Sequence, residues 1–187
     1  MHVDAASIEH AVNALRRGGV IAYPTEAIFG FGCDPQNMIA VQRVLDIKQR
    51  SVDQGLLLIA ADFAQIASYI ASDCPAAALE LAQASWPGPH TWVFPASERA
   101  PTWITGDHGS IALRVTAHPV AAALCRAFES PLVSTSANRH GTAPARTSAQ
   151  VEQDFAALVD AIVTGAVGQS ENPTTIRDAL SGEWLRR

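Results

Sequence analysis

The sequence predicts an α/β protein in which helices pack on a mixed sheet. Three observations carry that reading. Strand-length apolar runs alternate with capped, amphipathic helical stretches through the middle of the chain. The chain closes on two short strand-like segments around Ser181-Gly182, a hairpin signature that mixes antiparallel pairing into the sheet. Its 187 residues are 48% hydrophobic and 17% charged, which supports a buried core and one domain over residues 1–187.

The elements follow in order. Ser7 can cap a helix over 8–17 with Ile8, Val12 and Leu15 on one face, stopped by Gly18-Gly19. Residues 20–23 read as a buried strand that Pro24 ends. Asn37 can cap a helix over 38–48. Residues 56–60 are an apolar run of strand length, and Asp62 can cap a short helix over 63–70. Residues 75–85 are helical and opened by proline, and Trp86-Pro87-Gly88-Pro89 must turn. Strands are expected over 91–94 and 111–115, a helix over 118–128 with Pro119 in its first turn, and a short strand over 132–134. A helix over 148–155, a strand over 161–163 and hairpin strands over 174–178 and 183–187 complete the chain.

Bulk composition excludes several classes. A formal net charge of −5 disfavours strong nonspecific binding of duplex nucleic acid. Arg139, His140 and Arg146 form a local basic group and Arg186-Arg187 a second, both readable as solvated surface. Cys33, Cys74 and Cys125 are isolated and odd in number, which points to a reducing, cytoplasmic setting. No basic segment followed by an apolar run opens the chain, and no apolar stretch approaches the ~20 residues of a membrane span, so no membrane partner is expected. HExxH, clustered Cys/His, EF-hand, GxSxG, Walker and GxGxxG patterns are all missing, so no protein-held metal is expected and neither standard nucleotide fingerprint is present.

Lys48 is the one lysine among thirteen basic residues. It falls at i+7, i+4 and i+3 from Val41, Val44 and Leu45, so it extends the apolar stripe of its helix. An inward cation needs a partner; a lysine at a helix C-terminus can also reach water along its stem. Arg50 follows, and in an extended segment it would project the same way, two cations sharing one anion such as a polyphosphate. A solvated pair countered by Asp46 and Asp53 is the other reading.

The run Leu132-Val133-Ser134-Thr135-Ser136-Ala137-Asn138 empties a strand into three hydroxyls and an amide, suited to a phosphate or nucleobase, or to a turn closed on itself. Pro24-Thr25-Glu26 ends the first strand in the same manner. Arg114, ending its strand, could clamp a carboxylate or sit in a structural ion pair.

Together these motifs resemble the YrdC family, the threonylcarbamoyl-AMP synthases of tRNA modification, in their short bacterial form. The matching text is Tyr23-Pro24-Thr25-Glu26 through Phe29-Gly30-Phe31-Gly32-Cys33-Asp34, Lys48-Gln49-Arg50, Trp86-Pro87-Gly88-Pro89, Ala112-Leu113-Arg114-Val115 with His118-Pro119, Ser134–Asn138, and Asn172-Pro173 through Arg177-Asp178. Ser51 stands where the family usually has proline, Arg139-His140 precede Gly141 in place of small residues, and Ala60-Ala61 replace a frequent histidine.

The resemblance implies a twisted, mixed open sheet flanked by helices around a concave central cleft. It implies condensation of L-threonine, bicarbonate and ATP to threonylcarbamoyl-adenylate and pyrophosphate, with Mg²⁺ accompanying the nucleotide. Separate transfer proteins would then carry the group to tRNA position 37, with weak tRNA contact by this chain itself. Carried over residue by residue, Lys48 and Arg50 would be catalytic and hold phosphates, with Ser110, Ser136 and Asn138 also on ATP. Thr25, Arg114, Ser134 and Thr174 would surround threonine. The alternative is a noncatalytic RNA-binding module in ribosome or tRNA maturation.

Overall fold

The computed structural model describes residues 3–170 and 174–186. Asn172-Pro173 and Arg187, parts of the expected C-terminal pattern, lie outside the described residues. Helix α1 (Ala5–Arg16) begins a turn earlier than expected. Asp4, not Ser7, caps it, its side chain accepting from the Ala6 N–H at 3.1 Å. Ala5 and Ala6 are strong helix formers, so the helix extends back to the first residue able to cap it. The chain continues through β1 (Ile21–Pro24), β2 (Phe29–Gly32), α2 (Met38–Lys48), β3 (Leu57–Ala60), α3 (Ala64–Ala67), α4 (Ala76–Ala84) and β4 (His90–Pro95). It then forms α5 (Thr102–Thr105), β5 (Ser110–Val115), α6 (Pro119–Phe128), β6 (Leu132–Ser136), α7 (Ser148–Phe155), β7 (Ala161–Ile162), β8 (Thr175–Asp178) and β9 (Trp184–Arg186).

Two elements depart from expectation, and one shortens. Phe29-Gly30-Phe31-Gly32 is a fully buried strand, with both phenylalanines in the core. Its glycines hide the strand signal but allow close approach. A Cβ at Gly32 would stand 2.7 Å from the Tyr23 ring and 2.9 Å from the Val133 carbonyl oxygen. The short helix α5 was not expected, and α3 covers only the middle of the predicted 63–70. The 148–155 helix is capped by Thr147 in a capping box with Gln150.

Among the described residues nine strands form one open sheet in the order β7-β1-β2-β6-β3-β5-β4-β8-β9. The pairs β1–β7, β3–β5 and β4–β8 run parallel, and the others antiparallel, so the sheet is mixed as expected. Alternate residues feed two cores. Ile21, Tyr23, Ile59 and Leu132 pack on one face with α1 and α6, while Ala22, Leu58, Ala60 and Val133 join the larger cluster on the other. Burial on both faces explains why these strands read as unbroken apolar runs.

Candidate functional site

The face that carries Ile59 and Leu132 beneath the helices also carries Leu57, Arg114 and Ser134, two residues along or across in register. That part of the sheet borders a cavity of about 480 Å³, a size typical of small-molecule sites. Thr25, Arg50, Ser110, Arg114, Ser134, Ser136 and Thr174 all line it, so seven of the nine sequence-predicted site residues meet at one place. Lys48 and Asn138 are not among the lining residues and stand behind Ser136.

Helix α2 is nucleated by Asn37, whose side chain accepts from the Ala40 N–H, and ends at Lys48. Gln49 then takes a left-handed conformation, φ 53°. That turn corrects the expectation of an extended 48–50 segment: the two cations take separate sets of partners. Lys48 Nζ donates to the Ser136 carbonyl (2.6 Å) and Oγ (3.2 Å), and to Asn138 Oδ1 (2.8 Å) and its carbonyl (3.2 Å). Its partners are therefore neutral oxygens, not an anion. Burial, then the nearby charge of Arg50, brings its pKa down to about 8. Ser136 Oγ donates to Asn138 Oδ1 at 2.6 Å, and Asn138 Nδ2 to the Thr142 carbonyl, so the hydroxyl-rich bend is closed on itself and on Lys48.

Arg50 donates to the Gly55 carbonyl at 2.7 Å and the Gln54 carbonyl at 3.3 Å. Neither Asp46 nor Asp53 answers it: Asp46 accepts from Gln42, and Asp53 from Ser51. Ser51 caps the 3₁₀ turn Val52–Gln54, which fixes the loop after Arg50.

Arg186 is the site residue that sequence reasoning missed. It lines the cavity and donates through Nε and one terminal nitrogen to the Thr174 carbonyl, at 3.0 and 2.6 Å. As the penultimate residue it resembles solvated surface, and it stays exposed; the pairing of β9 on β8 sets its guanidinium against the Thr174 carbonyl at the cavity. Burial, with the charges of Arg114 and Arg50, holds its pKa below the ordinary guanidinium value. Three guanidiniums thus sense one space. Among the described residues no Asp or Glu lines it. Among the described residues, the salt bridges are Arg43–Asp160 and Arg114–Glu26. Among the described residues, then, no carboxylate answers Arg50 or Arg186 at the cavity, an arrangement that attracts a polyanion.

Arg114 is different. It is 2% exposed and stands 3.4 Å from Glu26 Oε2, so the ion-pair reading is realised, and it also lines the cavity. Burial drives the Glu26 carboxyl up, but Arg114 and the Thr116 hydroxyl outweigh it and leave it below the usual carboxylate range. Thr25 Oγ1 donates to the Ile28 carbonyl at 2.7 Å in the β1–β2 turn, leaving its lone pairs free. Arg139, His140 and Arg146 are exposed, as a solvated group would be.

The Sua5/YciO/YrdC family model, described as "Telomere recombination", matches residues 13–187. The chain is 56% identical over 180 residues to the threonylcarbamoyl-AMP synthase of Halorhodospira halophila, covering 96% of this chain and 94% of that one. To the protein of the same name from Xanthomonas axonopodis pv. citri it is 48% identical, covering 98% of each. Among solved structures, P. abyssi Sua5 complexed with L-threonine aligns with a TM-score of 0.88 at 32% identity over 95% of this chain. The chain spans about half of that longer protein, 52% of its length. E. coli YciO aligns with a TM-score of 0.84 at 27% identity, covering 100% of this chain and 95% of that one. A match that begins in α1 and runs through the closing hairpin, with about half the residues shared with full-length relatives, means that this chain belongs to the Sua5/YciO/YrdC family.

Proposed function

We propose that the chain is a threonylcarbamoyl-AMP synthase, condensing L-threonine, bicarbonate and ATP for threonylcarbamoyladenosine formation at tRNA position 37. The observation that carries it is the cavity wall: Arg50, Arg114 and Arg186 converge on it, and no carboxylate is among its lining residues within the described part of the chain. The names of the full-length relatives support the same activity.

With a C–N bond replacing one C–O bond and a water leaving, the threonine amine and bicarbonate form a carbamate. Its oxygen attacks the α-phosphorus of ATP, the bond from that phosphorus to the bridging oxygen breaks, and pyrophosphate leaves with the electron pair. Such a displacement needs alignment and charge neutralisation more than acid–base groups. Arg50 and Arg186 would take phosphate oxygens, with Ser110 and Ser136 beside them. Lys48 and Asn138 would act on the nucleotide through the Ser136 bend that they hold. Arg114 would take the threonine carboxylate, with Thr25, Ser134 and Thr174 around the rest.

Among the described residues no three His, Cys, Asp or Glu side chains gather as a metal site. Mg²⁺ would accompany ATP on phosphate oxygens and water, and no step here depends on a protein-held ion. We read residues 1–187 as one domain acting in the cytoplasm and passing its product to separate transfer proteins, with weak tRNA contact. Among the described residues no helix is long and apolar enough to cross a membrane. The RNA-binding alternative is less supported, because the basic residues that converge do so inside a cavity of small-molecule size.

The test is pyrophosphate release from ATP. It should require both threonine and bicarbonate. ATP turnover indifferent to threonine, or no turnover together with RNA affinity that falls steeply with salt, would overturn the reading.

A further inference from the structure

Glu26 lies one residue from cavity-lining Thr25 and Ala27 but is not itself among the lining residues. It is 7% exposed, and a buried carboxylate needs a reason. Its Oε1 is fixed twice, by the Thr116 hydroxyl at 2.6 Å and the Ala117 N–H at 3.2 Å. Its backbone is fixed too. Its carbonyl accepts from the Ser170 N–H, and a Cβ at Gly168 would meet that carbonyl oxygen at 2.5 Å. Its Oε2 faces Arg114 at 3.4 Å and makes no hydrogen bond.

Arg114 in turn has its Nε buried without a partner. A guanidinium has five N–H donors in a rigid fork. Here the carboxylate supplies charge across a loose contact while spare donors remain for a ligand. The held member of the pair is Glu26; the underused member is Arg114.

We propose that Glu26 is the positioning residue for Arg114, its anchored carboxylate holding the guanidinium at the cavity wall in the orientation that receives the carboxylate of an amino-acid substrate. This rests on the proposed function. Glu26 does not touch substrate; it acts through Arg114. By cancelling most of that charge it also keeps the Arg114 position from competing with Arg50 and Arg186 for polyphosphate.

The experiment compares wild type with Glu26→Gln, which keeps the shape and the bond from Thr116 but removes the charge. Threonine and ATP affinities are measured by calorimetry and their KM values by pyrophosphate release. We expect a threonine Kd and KM raised at least tenfold, with ATP values within twofold. A purely structural role would lower the active fraction and leave both KM values unchanged. That outcome, or equal weakening of both substrates, overturns the proposal. Should Glu26→Gln not fold, Thr116→Val removes the shorter of the two bonds to Oε1 without removing charge. It should raise the threonine Kd about threefold to tenfold, and an unchanged Kd overturns the proposal. If wild type binds threonine and releases pyrophosphate while the variants match it, only the positioning role falls. If wild type does neither, the functional reading falls and takes this proposal with it.

Discussion

Lys48 and Arg114 are both cations more than nine-tenths buried, and the protein keeps them by different means. Lys48 gives its ammonium to four neutral oxygens of Ser136 and Asn138. Arg114 faces the carboxylate of Glu26. Neutral acceptors satisfy hydrogen bonds without cancelling charge, so the Lys48, Arg50 and Arg186 positions keep a positive field suited to a polyphosphate. A carboxylate cancels it, so the Arg114 position suits a single carboxylate on a zwitterion. The contrast gives one cavity two electrostatic characters.

The sharpest way to break that comparison is Arg114→Ala. It strands a buried carboxylate, and removing one partner of a buried pair costs about 3–5 kcal/mol. Chemical denaturation should show that loss, with threonine weakened more than ATP. Wild-type stability would mean Glu26 does not depend on Arg114. Lys48→Met comes next. It leaves the Ser136 and Asn138 oxygens short of a donor, at about 1–3 kcal/mol, and loosens the bend. Arg50→Ala, whose partners are carbonyls, should keep stability within about 1 kcal/mol yet lower turnover about 100-fold. Denaturation paired with turnover separates the two; a Lys48→Met protein as stable as wild type would erase the distinction drawn here.

The smallest effect lies at acid pH. Glu26 has a folded pKa below its ordinary 4.5, so as pH falls through that window the unfolded chain takes up the proton first and stability drops. Glu26→Gln should show a flatter stability profile from about pH 5 downward. An unchanged acid limb would place the sensitivity elsewhere.

The legible parts of this molecule are those fixed by local chemistry. Helix α2 was readable because Asn37, the 3.6-residue stripe and Lys48 lie within twelve residues of one another, and the 57–60 and 111–115 strands because burial on two faces makes them continuously apolar. Strand β2 was not, since Gly30 and Gly32 remove the very side chains that announce a strand. The hydroxyl-rich bend and the two cations were legible as candidates, but the cations' separate sets of partners depend on one left-handed residue, Gln49.

The chain's sequence determined its class, the Asn37 cap of α2, its alternating cores and the residue types available for an anion site. These follow from spacing, propensity and hydrophobic period, which act over a few residues. The tertiary structure alone decided that Arg186 reaches the Thr174 carbonyl at the cavity, that Lys48 is answered by carbonyls and that Arg114 is answered by Glu26. Those partners lie 12 to 90 positions apart in sequence, and only the order in which the strands pair brings them within a few ångströms.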